Sequence, residues 1–458
     1  MSVTRELAGW IHDLRLDDIP AAVRERAKHV LLDGVGCALV GAQLPWSRVA
    51  TEAVIGLEGS GEIPAIGHGR TTSAPGAAVL NGTYVQGFEL DDFHPIAPLH
   101  SNALVIPALI STTGEQSGPE SLLAAIVGFE VGPRVGRALH GAEMLSRGWH
   151  SGSVFGTHTA AMVSGKLRGL DPDQLEDALG LAGTQSAGLM AAQYEAMSKR
   201  MHHGFAARNG LYAAGLAAAG YTGIKDVFER EYGGFLAVFG EGHDPRPAEV
   251  VAELGSRWET ALIMIKSYAA MGGLHGAIEA AVALRDQLEI KEIERIDITV
   301  GQAVYHHGWW RPERPLTPIG AQMNLGYATA AALIDGNVLP EQFTPTRLDA
   351  DDIWRLVDRT EVQLDDSELP LQERFRTDLA VTMTSGRVHR RRVVQPHGGP
   401  ADPVANDEIV GKYRALAGRV VDPARSKAIE TAVLALEDLD HLDSLIDLLA
   451  PPVAGALD

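Results

Sequence analysis

The spacing of apolar residues changes near Lys266, and no single layer of secondary structure accommodates both patterns. From residue 1 to about 265, apolar side chains recur every three or four positions with Pro and Gly at the breaks, the signature of packed helices. After Lys266 one more helical stretch, GGLHGAIEAAVALRDQL, gives way to IERIDITV, where Ile296, Ile298 and Val300 share one face at period two. TEVQL repeats the alternation. LAVTMTSGRVHRRRVV sets Leu379, Val381 and Met383 on one face and turns at Ser385-Gly386, as a β-hairpin does. The chain therefore reads as a mainly α fold with an α+β second domain. Helices fill 1–265, antiparallel strands with helices fill 267–405, and helix returns over 406–458, where the last helices can rejoin the first domain. A length of 458 residues, too great for one ordinary core, points to the same division.

Within the first part the spacing predicts helices over 73–88, 102–116, 120–138, 151–167, 173–190 and 204–219. Asp17, Asp18 and Pro20 predict a helix start before AAVRERAKHVLLDGVG. Many of these segments are rich in Ala and Gly, which lets helix backbones approach closely.

The chain carries 59 Asp and Glu against 39 Lys and Arg, a formal charge of -20. Such a balance argues against nucleic-acid or anionic-membrane partners, which draw on wide cationic faces. The N-terminus places Glu6, His12 and Asp13 where a secretory signal needs an unbroken apolar run, and the single cysteine, Cys37, sits in apolar sequence as a buried, inert thiol. A cytoplasmic protein is expected.

Against this acidic background, the thirty residues from Ala196 to Lys225 contain no carboxylate. Inside them SKRMHHGFAARNG crowds Lys199, Arg200, His202, His203 and Arg208, as a local site for a small anion would.

Three further clusters carry ionisable groups. GFELDDFHPIAPLH holds Glu89, Asp91, Asp92, His94 and His100, either as a cation site or as a loop whose acids cap the next helix. No Cys cluster or H-E-x-x-H accompanies it, so neither metal nor cofactor is expected. RGWHSGSVFGTHTAAM places His150 and His158 on one helix face. His150, at the helix start, is held neutral by the dipole and is either catalytic or structural, while His158 reads as a core residue. In IKSYAAMGGLHG, Lys266 follows an apolar run, so its ammonium must reach a carboxylate or a ligand. Tyr327, in MNLGYATAAALIDG, is a packing residue or a phenol donor.

At these residues the chain resembles the MmgE/PrpD family, which includes 2-methylcitrate dehydratases, cis-aconitate decarboxylases and iminodisuccinate epimerases. The resemblance runs over nearly the whole length, through IPAAVRERAKHVLLDGVGCALVGA, ELDDFHP, WHSGSVFGTHTAA, SKRMHHGFAARNG, IKSYAAMGGLH and GGPADPVANDEIVGKY. It implies a large helical domain built from both chain ends, a smaller inserted α+β lid domain, and a homodimer. It also implies an active site drawn from Glu89, Asp91 or Asp92, His100, His150, Lys199, Lys266 and Tyr327. Departures fall at Glu89, where relatives commonly have Asp, at Ser101-Asn102 in place of Pro-Ser, and at Tyr268-Ala269 and Met271.

The chemistry so implied is that of a cofactor-independent lyase acting at a carbon next to a carboxylate. One of His150, Lys199 and Lys266 would take the α-proton, and another, or His100, would protonate the leaving hydroxyl. Tyr327 would orient a carboxylate, and Glu89, Asp92, His202, Arg200 and Arg208 would surround the substrate. Dehydration of a 2-methylcitrate-like hydroxy polycarboxylate is the first expectation. Decarboxylation of cis-aconitate, epimerisation of an aminated dicarboxylate such as iminodisuccinate, and carboxylate binding without catalysis are the alternatives.

Overall fold

The computed structural model describes residues 1–112, 114–370 and 373–457. At its centre lies helix α1 (Ala21–Ala42), continuously buried from His29 to Ala42. A helix apolar on every side is a core helix, and its neighbours surround it. Packed directly against it are α2 (Ala74–Val85), α3 (Asn102–Ser111) and α4 (Gly118–Ala138); α5 (Ser151–Leu167) and α6 (His202–Ala218) lie beyond these, packed against each other, α5 also on α4 and α6 also on α2. The small residues act as expected: a Cβ at Gly41 would overlap the Tyr84 carbonyl oxygen at the end of α2, and one at Gly204 would overlap the Val79 carbonyl. Among the described residues no single helix is long and apolar enough to cross a membrane.

Several local expectations are corrected. Asp18 caps a short turn over Leu16–Asp18 by accepting the Arg15 N–H, and α1 starts after Pro20 with no side-chain cap. The helix expected over 102–116 stops at Ser111, residue 113 lying outside the described residues, and that over 173–190 spans only Pro172–Gly183. A hairpin of β1 (Ile63–Ala65) and β2 (Arg70–Thr72) went unread. Residues 219–262, expected to be helical, are mostly turns around one short helix, Phe235–Phe239, because Gly and Pro recur too often for a longer one.

The α+β part holds one sheet of β3 (Ile293–Gly301), β4 (Thr360–Asp365), β5 (Thr377–Met383) and β6 (Val388–Val393), in the order β4-β3-β5-β6. The hairpin and its turn at Gly386 are as read, with Ile296 opposite Val381 and Ile298 opposite Leu379. The expected all-antiparallel pairing is not: β4 runs parallel to β3. A parallel neighbour requires a crossover, and the chain supplies one through α8 (Leu325–Asp335). With α7 (His275–Arg285), α8 covers the buried face of the sheet.

The last helices return to the start of the chain. On α9 (Asn406–Ala417), Tyr413 packs beside Gly36, and Lys412 reaches the buried Asp33 of α1 at 2.6 Å. Cys37 is free and buried, and burial pushes its thiol well above the ordinary range, as an inert cysteine requires.

Gly41→Ala should destabilise the protein by about 3 kcal/mol, since the added methyl meets backbone that cannot move aside alone. Gly56→Ala, exposed on helix Pro45–Glu58 with no atom near its Cβ position, should instead gain up to about 1 kcal/mol. Urea unfolding of the two variants checks both signs.

Candidate active site

Between α2 and α3 the chain runs without regular structure, yet it is fixed at several points. Phe93 and Met264 exchange both backbone hydrogen bonds at 2.9 Å, and the Asp92 carboxylate accepts the N–H groups of Ser101 at 2.8 Å and Asn102 at 3.0 Å. Asp92 is therefore the cap of α3. Burial, reinforced by Asp91, pushes its carboxyl up to about 8. Within this segment Glu89 adopts φ 54°, the left-handed region that side chains seldom occupy outside strained sites.

The Glu89 carboxylate lies between two ammonium groups, Lys199 Nζ at 2.5 Å and Lys266 Nζ at 3.2 Å, all three side chains being buried. Lys199 comes from the turn Met197–Met201 ahead of α6, and Lys266 follows the Phe93–Met264 bridge. Asp91 stands 2.9 Å from His100 Nδ1 and 3.9 Å from Lys266. Burial acts to raise the Glu89 carboxyl, but Lys199 and Lys266 outweigh it and hold it well below the usual carboxylate range. Burial lowers the Lys199 ammonium more than Glu89 raises it.

His100, His150, His202 and His203 gather beside the lysines. Their rings meet at centroid distances of 4.9 to 6.2 Å, and His150 Nδ1 is 2.8 Å from His202 Nδ1. His150 is held well below its usual pKa, as the sequence predicts. Burial is the first cause and neighbouring Lys199 the second, rather than the helix dipole. Burial also lowers His202 to about 4. Both ring nitrogens of His203 are buried without a hydrogen-bond partner among the described residues.

Glu89, His100, His150, Lys199 and Lys266 form one wall of a cavity holding about 700 Å³ of space free of protein atoms, its mouth included. The facing wall comes from the α+β part and its approach, with Met271, Val304, His307, Met323 and Arg374. The site thus opposes a cluster of charges and imidazoles to a wall that is apolar at Met271, Val304 and Met323 and carries His307 and Arg374.

Other expected residues lie elsewhere. Tyr327 is fully buried beside Phe343 and donates its hydroxyl to the Gln342 carbonyl at 2.5 Å, away from the cavity, so it is not placed to orient a substrate. Arg200 donates to the Gly87 carbonyl at 2.8 Å and to Gln322 Oε1 at 3.1 Å, and lies over the Trp46 ring. Arg208 is held by Asn209 and rests on Phe205. His94 turns to Glu259, 3.1 Å away, so the acids and histidines of GFELDDFHPIAPLH do not converge on one point. Arg374, His307 and the three methionines Met190, Met271 and Met323 went unread as cavity residues. Of these only Met271 carried a signal, as a departure from the expected pattern.

His158 is the core residue the sequence predicts, packed between Phe228 and Phe235, and burial lowers it to about 4. Its unfolded value is near 6.5, so between those limits the unfolded chain binds a proton that the folded one refuses. Stability from this group is complete above about pH 6.5 and is lost as pH falls toward 4. In His158→Met the loss of stability from pH 7 to pH 4 should shrink by about 3 kcal/mol relative to the parent, read from urea titrations at each pH. Parallel curves would contradict it.

Comparison with known proteins gives a consistent result across the chain. Residues 5–248 match the MmgE/PrpD N-terminal domain and residues 268–438 the MmgE/PrpD C-terminal domain. The chain is 45% identical to the cis-aconitate decarboxylase-like protein oryM of Aspergillus oryzae, over 98% of this chain and 97% of that one. It is 41% identical to the cis-aconitate decarboxylase of Aspergillus terreus, over 99% and 97%, and 26% identical to that of Homo sapiens, over 98% and 95%.

Proposed function

This chain belongs to the MmgE/PrpD family, and on that footing we propose that it is a lyase that releases CO2 from cis-aconitate or a closely similar unsaturated polycarboxylate. The observation that carries the reading is the buried Lys199–Glu89–Lys266 array facing an apolar wall across one cavity. The full-length likeness to proteins named cis-aconitate decarboxylase favours this reaction over the dehydration first expected.

Cis-aconitate carries a carboxymethyl arm next to its double bond. When the bond from that methylene to its carboxyl carbon breaks, CO2 departs and the electron pair stays on carbon, spreading through the double bond to the far alkene carbon and the carboxylate it bears, one of the two carboxylates that remain. Two opposed demands follow. The leaving carboxylate must give up charge, which an apolar wall of Met271, Met323 and Val304 favours by withholding water. The charge that develops on the retained fragment must be stabilised, which the two ammonium groups do in a place of low dielectric.

The allylic carbanion then takes a proton. Lys199 is the donor in this scheme, because burial makes its ammonium a stronger acid than an exposed lysine. Lys266 holds one of the two retained carboxylates, and Glu89 keeps both ammonium groups in place. With Nδ1 committed to Asp91, His100 has only Nε2 to offer the substrate. His150, neutral at the cavity wall, positions the substrate by hydrogen bonding.

Incubation in D2O with cis-aconitate, citrate, 2-methylcitrate and an aminated dicarboxylate, followed by NMR, separates the possible reactions. CO2 release from cis-aconitate with one carbon-bound deuterium in the product is expected. Dehydration of a hydroxy acid, or deuterium exchange without bond cleavage, together with inert cis-aconitate, would overturn the reading. Lys199→Met and His150→Ala should each lower kcat by about 100-fold or more while keeping a cooperative melt. Near-normal rates in both would reject their roles.

A further inference from the structure

Lys199 and Lys266 share Glu89, and Asp91 lies beside Lys266, so the charges of that wall are balanced among themselves. Arg374 is different. It stands on the opposite wall, just before β5, with Nε and Nη1 closed off from solvent and without a hydrogen-bond partner. No carboxylate of the described residues lies within ion-pair distance of it. Two residues on, Arg376 takes both Asp365 at 2.5 Å and Glu373 at 2.9 Å, so the local acids are already committed.

Among the described residues, the partner seen for the Arg374 guanidinium is the Phe375 ring, 4.5 Å away. A ring face orients a cation but does not neutralise it. Burial lowers Arg374 to about 10, which leaves it charged at neutral pH. A cation with two of its three guanidinium nitrogens out of water and no counter-charge beside it is destabilising unless a ligand supplies one. Its position also matters: Arg374 and Phe375 line a second, apolar pocket with Pro95, Ile96, Pro396 and Pro400, and so stand at the partition between that pocket and the central cavity.

We propose that Arg374 receives the carboxylate of the substrate farthest from Lys199 and Lys266, and that this contact makes the site select tricarboxylates over dicarboxylates. A ligand held at both ends then spans the cavity from the lysines to the α+β part. The proposal rests on the reading that the cavity binds a polycarboxylate, and not on which bond is broken.

The probes are tricarballylate, a saturated tricarboxylate with no double bond, and glutarate, which has a carboxylate fewer. Titration calorimetry compares the full chain with Arg374→Gln and Arg374→Lys. Arg374→Gln should weaken tricarballylate binding by about 10- to 100-fold and change glutarate binding by less than about threefold. Arg374→Lys should fall between, because an ammonium keeps the charge and loses the planar donor set. The melting temperature of unliganded Arg374→Gln should be equal to or above that of the parent, since a charge without a counter-ion has been removed; an arginine with a purely structural role would lower it.

Equal weakening of both ligands, unchanged tricarballylate binding, or a parent protein that binds neither would each overturn the proposal. Should Arg374→Gln not fold, its structural role is shown and the proposal falls unless Arg374→Lys alone reproduces the selective loss. Selective loss in a protein that leaves cis-aconitate untouched would sink the decarboxylase reading while leaving this one standing.

Discussion

The Glu89 carboxylate between Lys199 and Lys266 fixes the relation of three chain segments that are far apart in sequence. Each partner is buried, so none can be withdrawn without leaving an uncompensated charge in a medium that solvates it poorly. That constraint sets where the loop after α2 must run, where the turn before α6 must stop, and where the chain leaves the helical part near Met264. The left-handed backbone at Glu89 belongs to the same constraint: with Phe93 tied to Met264 and Asp92 tied to the start of α3, the loop brings its carboxylate between the lysines in that conformation.

Close helix packing makes the arrangement possible. Gly204 of α6 lies against Val79 of α2, so the turn carrying Lys199 is drawn toward the loop carrying Glu89. Larger residues at such crossings would push the helices apart, and with them the turn that carries Lys199 and the loop that carries Glu89. The abundance of Gly and Ala in these helices therefore serves the site as well as the core.

Much of this was legible in the sequence, and what was not has identifiable causes. Apolar periodicity reports which face of an element is buried, so α5 and the buried face of β3 were read closely. It says nothing about which way a neighbouring strand runs, and β4 was given the wrong direction because the crossover through α8 is a tertiary fact. Charge clusters were legible as clusters, but adjacent residues in a turn point different ways. Lys199 meets Glu89 while Arg200 holds the Gly87 carbonyl, and Asp91 faces His100 while Asp92 caps α3. Tyr327 sits in a helix with two neighbours to pack against, and only the fold shows that its hydroxyl serves the Gln342 carbonyl. Arg374 was illegible for a simpler reason: in ERFRTDLAV nothing distinguishes it from Arg376, and what sets it apart is the carboxylates that its neighbour has taken.

Arg200, expected to hold substrate, does something the sequence did not suggest. Its guanidinium bonds the Gly87 carbonyl and Gln322 Oε1, while the Gln322 amide donates to the Phe88 carbonyl at 2.9 Å. Two consecutive backbone carbonyls just ahead of Glu89 are thus held by one side chain from the helical part and one from the segment leading into α8. Both contacts are buried, and backbone acceptors deprived of these donors would be left unsatisfied. The position of Glu89, and through it the separation of the two ammonium groups, therefore depends on how the α+β part is seated. Met323, the next residue after Gln322, lines the cavity, so the side that faces the cavity and the side that steadies the carboxylate are one and the same stretch of chain. Correct seating of the two parts thus places the lysines, the apolar residues and Arg374 around a single space.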